Sequence, residues 1–247
     1  MTTFLRDTIT IFSREFRPSL RNPTGLIFDM GQPLLFLFLF GSLLGGAVGS
    51  SWQWFVPGIL VMMCLTGPMS AGYTLLVELI GGAMERLMVT PVNRTAMLVG
   101  KSMKAMLTLL VQAVLIIVLA LPLGFELHVA GVLAGLAQLV LFSVGLGAFS
   151  FVLAIRSAPG GTLFYVVSQS IMFPLLLLSG VLLPLETAPG WLRVLGQVNP
   201  VTYIVNAQRA LFSGDLGNPS VLYGTAAACV VAAIGLYLGN RAMRQGV

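Results

Sequence analysis

Residues 105–121 read AMLTLLVQAVLIIVLAL, seventeen positions without a charged side chain. With the turns before it, the apolar run extends from Ala96 to Leu121. A helix rises about 1.5 Å per residue and a bilayer core is about 30 Å thick, so about 20 apolar residues make one crossing. The rest of the chain has the same character. Of its 247 residues 57% are hydrophobic and 9% charged, and the mean hydropathy is +0.97. A soluble domain carries about 25% charged residues. A surface this poor in charge needs lipid, not water, around it, which excludes a soluble enzyme.

Outward from Ala96–Leu121, five further runs fit a crossing. The six spans are expected at 26–47, 55–79, 96–121, 129–155, 163–183 and 221–239. The expected fold is an all-α integral membrane protein with one transmembrane domain over 1–247. No polar insert long enough for a soluble domain interrupts it. Trp52 and Trp54 mark the outer end of the second span, as interfacial aromatics do. The small residues Gly45 to Ser50 suit a signal-peptide cleavage site, but the polar region before the first span is too long and contains acidic residues, so no cleavage is expected.

Before the first span, residues 1–22 read as an amphipathic interfacial helix. Leu5, Ile9, Phe12, Phe16 and Leu20 share one stripe; Arg14, Arg17 and Arg21 share the opposite face. A basic face backed by aromatic apolar residues suits the plane of a membrane surface. Asn22-Pro23 ends it. Basic residues then orient the bundle. Arg6, Arg14, Arg17, Arg21, Arg86, Arg94, Lys101, Lys104, Arg156, Arg241 and Arg244 fall on one side of a six-span plan, and Arg193 and Arg209 on the other. The positive-inside bias puts both termini in the cytoplasm of a multi-pass protein of the cell (inner) membrane. The net charge of +5 therefore reports orientation, not nucleic-acid binding.

Catalytic constellations are missing from the sequence. Gly100-Lys101-Ser102 copies the end of a phosphate-binding loop, but Thr95 stands where its first glycine belongs and no strand precedes it. Lys101 and Lys104 read as anchors that snorkel to the headgroups. Cys64 and Cys229 read as buried free thiols and His128, beside Glu126, as a solvated loop residue; together they make no metal cluster. Ser179-Gly180 has no base near it for serine chemistry. Asp29 and Glu78 lie near span ends, where solvated or headgroup-facing positions are expected. A proton-driven carrier usually keeps an ionisable group deeper than that. Gln112, Gln138 and Gln169 read as helix-to-helix glue, and the glycine pairs Gly41/Gly45, Gly131/Gly135 and Gly145/Gly147 as close-packing positions.

Two segments stand apart. Met84 to Arg94, MERLMVTPVNR, mixes charge with exposed apolar side chains and stops at Thr90-Pro91, since the residue before proline avoids helical geometry. A short helix over 81–93 that docks into a partner's groove fits that mixture. The second segment has Phe173-Pro174, then LSGVLLPLE over 178–186, Pro189, Trp191, Asn199-Pro200-Val201-Thr202-Tyr203 and Arg209. Broken backbone at membrane depth must be buried in protein or line a cavity. The region 184–212 is therefore expected to dip back as short helices.

In order and spacing these segments resemble the permease subunits of type-2 ABC exporters, in the daunorubicin- and multidrug-resistance-like branch. The matching residues are Glu85-Arg86, Thr90-Pro91, Arg94, Ser179-Gly180, Pro184, Pro189, Trp191, Asn199-Pro200 and Thr202-Tyr203, with Leu87 where the family commonly has glycine. The resemblance implies a six-span type-2 exporter fold with a cytoplasmic coupling helix and extracellular re-entrant helices. It implies an ATPase-coupling surface of Glu85, Arg86, Met88, Thr90, Pro91 and Arg94, flanked by interfacial-helix residues Phe12, Arg14, Phe16, Arg17 and Arg21. It implies an extracellular gate of Pro174, Ser179, Gly180, Pro184, Trp191, Asn199, Pro200 and Tyr203.

The function so implied is ATP-driven export of a hydrophobic or amphipathic substrate, a drug-like molecule or a lipid, from the cytoplasm or inner leaflet. The chain itself binds no cofactor; ATP and Mg sit on a separate cytoplasmic ABC ATPase subunit. A second permease copy or paralogue and membrane lipid complete the partners, with no nucleic acid. A polysaccharide or glycolipid exporter and an ion-gradient-driven carrier are the alternatives, beside a membrane protein that transports nothing.

Overall fold

The computed structural model describes residues 2–21, 24–43, 51–82, 94–182 and 188–245. They form helices α1 (Thr2–Arg21), α2 (Thr24–Leu43), α3 (Ser51–Ile80), α4 (Arg94–Ala120), α5 (Val129–Ser157), α6 (Thr162–Leu177), α7 (Gly190–Val198), α8 (Pro200–Phe212) and α9 (Pro219–Gln245). There is no strand among the described residues. In lipid a helix satisfies its own backbone, which is why apolar sequence of this length resolves into helices.

Helix α3 is the axis of the bundle. All eleven residues from Phe55 to Leu65 are buried, so that stretch is covered on every side. It packs against α2, α4, α5, α6 and α8. Helix α5 lies between α3 and α9, and α8 packs on α9, α3 and α5. The main core joins Leu37, Phe55, Ile59, Leu60, Met62, Ile116, Leu139, Phe142, Ile204 and Phe212. A smaller cluster of Ile11, Leu75, Leu76, Met97, Phe151 and Phe164 lies where α1 joins the bundle.

Among the described residues, four helices are long and apolar enough to cross a membrane: Trp52–Ile80, Val99–Leu123, Val129–Ser157 and Pro219–Ala242. The other two expected spans coincide with shorter apolar helices, Ile27–Ser42 and Thr162–Leu177. The expected fifth span, 163–183, is cut short because α6 stops at Leu177 and Gly180 takes a left-handed φ of 73°. Sixteen residues rise only about 24 Å, less than the bilayer core. The expected first span, 26–47, contains residues 44–47, which lie outside the described residues.

Small residues set the helix separations, as expected where lipid gives helices no hydrophobic reason to associate. A Cβ on Gly131 would collide with the Leu211 carbonyl oxygen, and one on Gly135 would come within 2.6 Å of the Phe212 ring. These two glycines let α8 lie directly on α5. A Cβ on Gly145 would sit 2.7 Å from the Val231 carbonyl, whereas at Gly147 the nearest atom is Pro68 Cβ at 3.9 Å. The two glycines expected to act alike therefore differ. Gly145→Ala should destabilise the α5–α9 contact by about 1–3 kcal/mol, the usual cost of overpacking. Gly147→Ala should be neutral or stabilising by up to about 1 kcal/mol, since alanine favours helix. Thermal unfolding of both variants in one detergent checks the contrast.

Candidate functional site

Two polar clusters occupy opposite ends of the bundle. The first centres on Lys101, eight residues into α4. Its ammonium donates to Glu15 Oε1 of α1 at 3.0 Å and to Glu78 Oε1 of α3 at 2.8 Å. Lys101 is 4% exposed, Glu15 13% and Glu78 16%. This corrects the expectation of a headgroup-seeking Lys101 and a solvated Glu78: both turn inward and pair. Glu78 lies in the last turn of α3, where the helix dipole disfavours a carboxylate, so the Lys101 cation offsets that cost. Glu78 Oε2 is buried without a partner among the described residues. Gly100 makes the cluster possible. A Cβ there would meet Ile11 Cγ2 at 2.9 Å and the Thr8 carbonyl at 3.0 Å. The phosphate-loop look-alike Gly100-Lys101 is thus a contact glycine beside an ion-pair lysine.

Helix α1 has two working faces. Thr8 and Ile11 are buried against α4, with Glu15 on the same side. Leu5 and Ile9, on the stripe assigned to the membrane surface, stay exposed. Phe12 and Phe16 are half-buried and stack at 5.5 Å, and Arg14, Arg17 and Arg21 are exposed. The helix is therefore docked on protein along one face while it offers an apolar stripe and a basic edge outward.

The second cluster forms where α6 breaks off. Its last carbonyls lack intrahelical partners, as at any helix end. Here each partner comes from a residue of the broken segment. Leu178 N–H donates to Pro174 O at 2.9 Å, Asn199 Nδ2 to Leu175 O at 2.8 Å and Ser179 Oγ to Leu176 O at 2.6 Å. The single Thr202 Oγ1 proton is shared between Gly196 O at 2.7 Å and Leu178 O at 3.2 Å. Arg209 Nη2 donates to Gly180 O at 2.7 Å while its guanidinium lies 3.5 Å from the Trp54 ring centroid. Asn199 Oδ1 also accepts from Val201 N–H at 2.9 Å, capping α8 ahead of Pro200. Tyr203 OH donates to Gln197 O at 2.8 Å. The Ser-Gly motif and the adjacent Asn-Pro and Thr-Tyr motifs, which begin 20 positions later, thus complete one backbone hydrogen-bond network.

Of the expected gate residues, Ser179, Gly180, Asn199, Pro200 and Tyr203 meet in or beside that network. Pro174 lies inside α6 and Trp191 on the exposed side of α7. Pro184 lies outside the described residues, as do Glu85, Arg86, Met88, Thr90 and Pro91; Arg94 begins α4. Gln138 links α5 to α9 through Thr225 Oγ1 at 3.3 Å and accepts from the fully buried Gln208 at 2.7 Å. Gln169, expected as glue, is exposed on α6, and Gln112 lines a cavity. His128 stays in the loop before α5 but is half-buried there, with Nδ1 3.1 Å from the Phe212 carbonyl oxygen. Cys64 is buried, whereas Cys229 is exposed on α9. Sequence reasoning missed Gln208 and Glu15; a glutamine between Ala207 and Arg209 carries no periodic signal that separates it from a surface residue.

A helical bundle with several membrane-crossing helices and no strand among the described residues defines a multi-pass membrane protein. The chain belongs to the ABC-2 type transporter family, whose model matches residues 6–213. It is 29% identical over 219 residues to a transport permease of Cyanophora paradoxa, covering 85% of this chain and 75% of that one. It is 28% identical over 225 residues to a daunorubicin-resistance ABC transporter permease of Streptomyces coeruleorubidus, covering 87% and 78%. A permease of Mycobacterium tuberculosis named for doxorubicin resistance is 26% identical over 220 residues, covering 85% and 79%. This chain is accordingly a transmembrane ABC transporter subunit of the permease type.

The network at the α6 break assigns Asn199 two jobs. Asn199→Ala removes the α8 cap and orphans the Leu175 carbonyl, which should cost about 2–4 kcal/mol together. Asn199→Asp keeps the cap but not the donor and should lose about half as much. Thermal unfolding midpoints in detergent, ordered wild type above Asp above Ala, check this division.

Proposed function

We propose that this chain is the permease half of an ATP-driven exporter for a hydrophobic or amphipathic substrate, and that the Lys101 cluster passes the motion of a separate ATPase into the spans. One observation carries the coupling role. The segment 83–93 is bounded by α3, which bears Glu78 in its last turn, and by α4, which bears Lys101 in its second. The Lys101 ion pairs tie both flanks to each other and to Glu15 of α1. A push on that segment then moves three helices together. Glu85, Arg86, Met88, Thr90, Pro91 and Arg94 meet the ATPase in this reading, with Arg14, Arg17 and Arg21 of α1 beside them. They transmit force and do no bond chemistry.

ATP and Mg belong to the partner in this account. The chain has no complete phosphate-binding loop, and Lys101, the one lysine placed like such a loop's, is consumed by two carboxylates. Both termini face the cytoplasm, on the side of the basic residues. The network around Asn199, Thr202 and Arg209 closes the opposite, outer end in this reading, with α7 and α8 folded back beneath it and Tyr203 beside the exit. Two permease copies or paralogues complete the path. Relatives named for daunorubicin and doxorubicin resistance support a drug-like amphipath over a sugar polymer.

The test is purification of the tagged chain from native membranes in mild detergent. A stoichiometric nucleotide-binding partner with ATP turnover should come with it. The Glu85→Gln/Arg86→Gln variant, inserted at equal level, should lose that partner and export. A clean chain with no such partner, where a known ABC complex survives the same handling, contradicts the proposal and favours a gradient-driven carrier.

A further inference from the structure

Beside the Lys101 cluster, α2, α3 and α4 enclose a cavity of about 430 Å³. Glu15 and Lys101 close the end next to α1. On α3 its wall carries Thr66, Ser70 and Thr74, every fourth residue and so a single file. On α4 the wall carries Lys104, Thr108 and Gln112 at the same helical spacing. Asp29 and Gln32 come from α2. Between Met62 and Thr74 the α3 wall extends about 18 Å along the helix, over half a bilayer core. Ionisable residues within membrane helices almost always face the bundle interior or a cavity and mark a path or a binding site, and Asp29 and Lys104 stand beside these polar files.

The walls differ in chemistry. Each α3 hydroxyl spends its proton on its own helix: Thr66 on Met63 O at 3.2 Å, Ser70 on Gly67 O at 2.7 Å and Thr74 on Ser70 O at 3.0 Å. What those hydroxyls turn to the cavity is lone pairs. Asp29 adds a carboxylate without an ion-pair partner among the described residues. Apart from the Gln32 amide, which also offers donors, that side is a bank of acceptors. On the other, the Lys104 ammonium has no hydrogen-bond or ion-pair partner among the described residues, and Gln112 adds amide donors. Phe28, 83% exposed, forms an apolar rim, and Met62, Met63 and Leu109 line the cavity beside the polar files. The volume is at the small end of ligand pockets, which run from about 300 to 1,000 Å³, so it admits a headgroup and not a polymer.

We infer that the α2–α3–α4 cavity binds the zwitterionic polar end of an amphipath, its ammonium against Asp29 and the α3 hydroxyls and its anionic group against Lys104. Facing acceptor and donor walls select a molecule that carries both charges over one that carries either alone. The apolar rim leaves the hydrocarbon part in the bilayer. As the exporter's entry site the cavity rests on the function proposed above; as a binding site it stands without it.

The probes are phosphatidylethanolamine, phosphatidylglycerol, which keeps the anion and lacks the amine, and a diacyl ammonium amphipath, which keeps only the amine. Native mass spectrometry of the purified full chain measures retention of each. Phosphatidylethanolamine should be retained roughly tenfold better than either single-charge lipid, a difference of about 1.4 kcal/mol. Asp29→Asn should erase its advantage over phosphatidylglycerol, and Lys104→Gln its advantage over the ammonium amphipath, each with an unchanged unfolding midpoint. Displacement by soluble phosphoethanolamine identifies a headgroup ligand that needs no tails; persistence against it identifies a membrane lipid. Equal retention of the three lipids, or an unaltered preference in both variants, overturns the inference. Binding is read without any ATPase, so a chain that shows the preference but has no ATPase partner would defeat the exporter reading alone.

Discussion

The Lys101 ammonium between the carboxylates of Glu15 and Glu78 is the interaction on which the near end of the bundle depends. Taking charges out of water costs several kcal/mol per ion, and only close opposite charge recovers it. Once formed, such a cluster is hard to leave: removing one partner of a buried pair costs about 3–5 kcal/mol. The consequence is mechanical. Helix α1 precedes the spans in sequence and touches them mainly through α4. Ile11 against Gly100 brings the backbones close, and the ion pairs fix the register. Helices α3 and α4, which bear Glu78 and Lys101, are thereby held to each other and to α1.

At the far end the governing constraint is backbone satisfaction. Helix α6 stops early, and the carbonyls it leaves must be paired because no water replaces the missing bonds inside a bilayer. Asn199, Thr202, Ser179 and Arg209 supply the donors. This gives the α6 break a fixed shape and seats α8 against α5, where Gly131 and Gly135 leave room. This bonded end is the part to which the proposed function assigns closure of the exit. The two ends share α3, whose buried stretch Phe55–Leu65 lies between Trp54 at the outer network and the hydroxyl file of the cavity.

Helix class was legible, and four of the expected spans coincide with helices long and apolar enough to cross, because hydropathy is local: Ala96–Leu121 needs no knowledge of its neighbours to read as a span. The break in the fifth span was legible only in part: prolines and glycine marked an irregular segment, but the span was expected to run to 183 and α6 stops at Leu177. Partnerships were not. Lys101 reaches Glu15 across 86 positions and Glu78 across 23, and a lysine near a span end reads equally as an anchor until a carboxylate faces it. Gly145 and Gly147 look alike in sequence, yet only one meets a neighbouring backbone. Gln112, Gln138 and Gln169 likewise separate into a cavity lining, a helix bridge and an exposed face only when packing is known. Family membership, by contrast, was carried by motif order, which survives without geometry.

Hydrogen–deuterium exchange of the reconstituted chain, wild type against Glu15→Leu, tests the clamp most directly, because that variant leaves the Lys101–Glu78 pair intact. The account predicts faster exchange across residues 4–17 of α1, with α8 and the upper half of α3 as protected as before. Unchanged protection of α1 would contradict it, since the helix would then be held by something other than the Lys101 cluster.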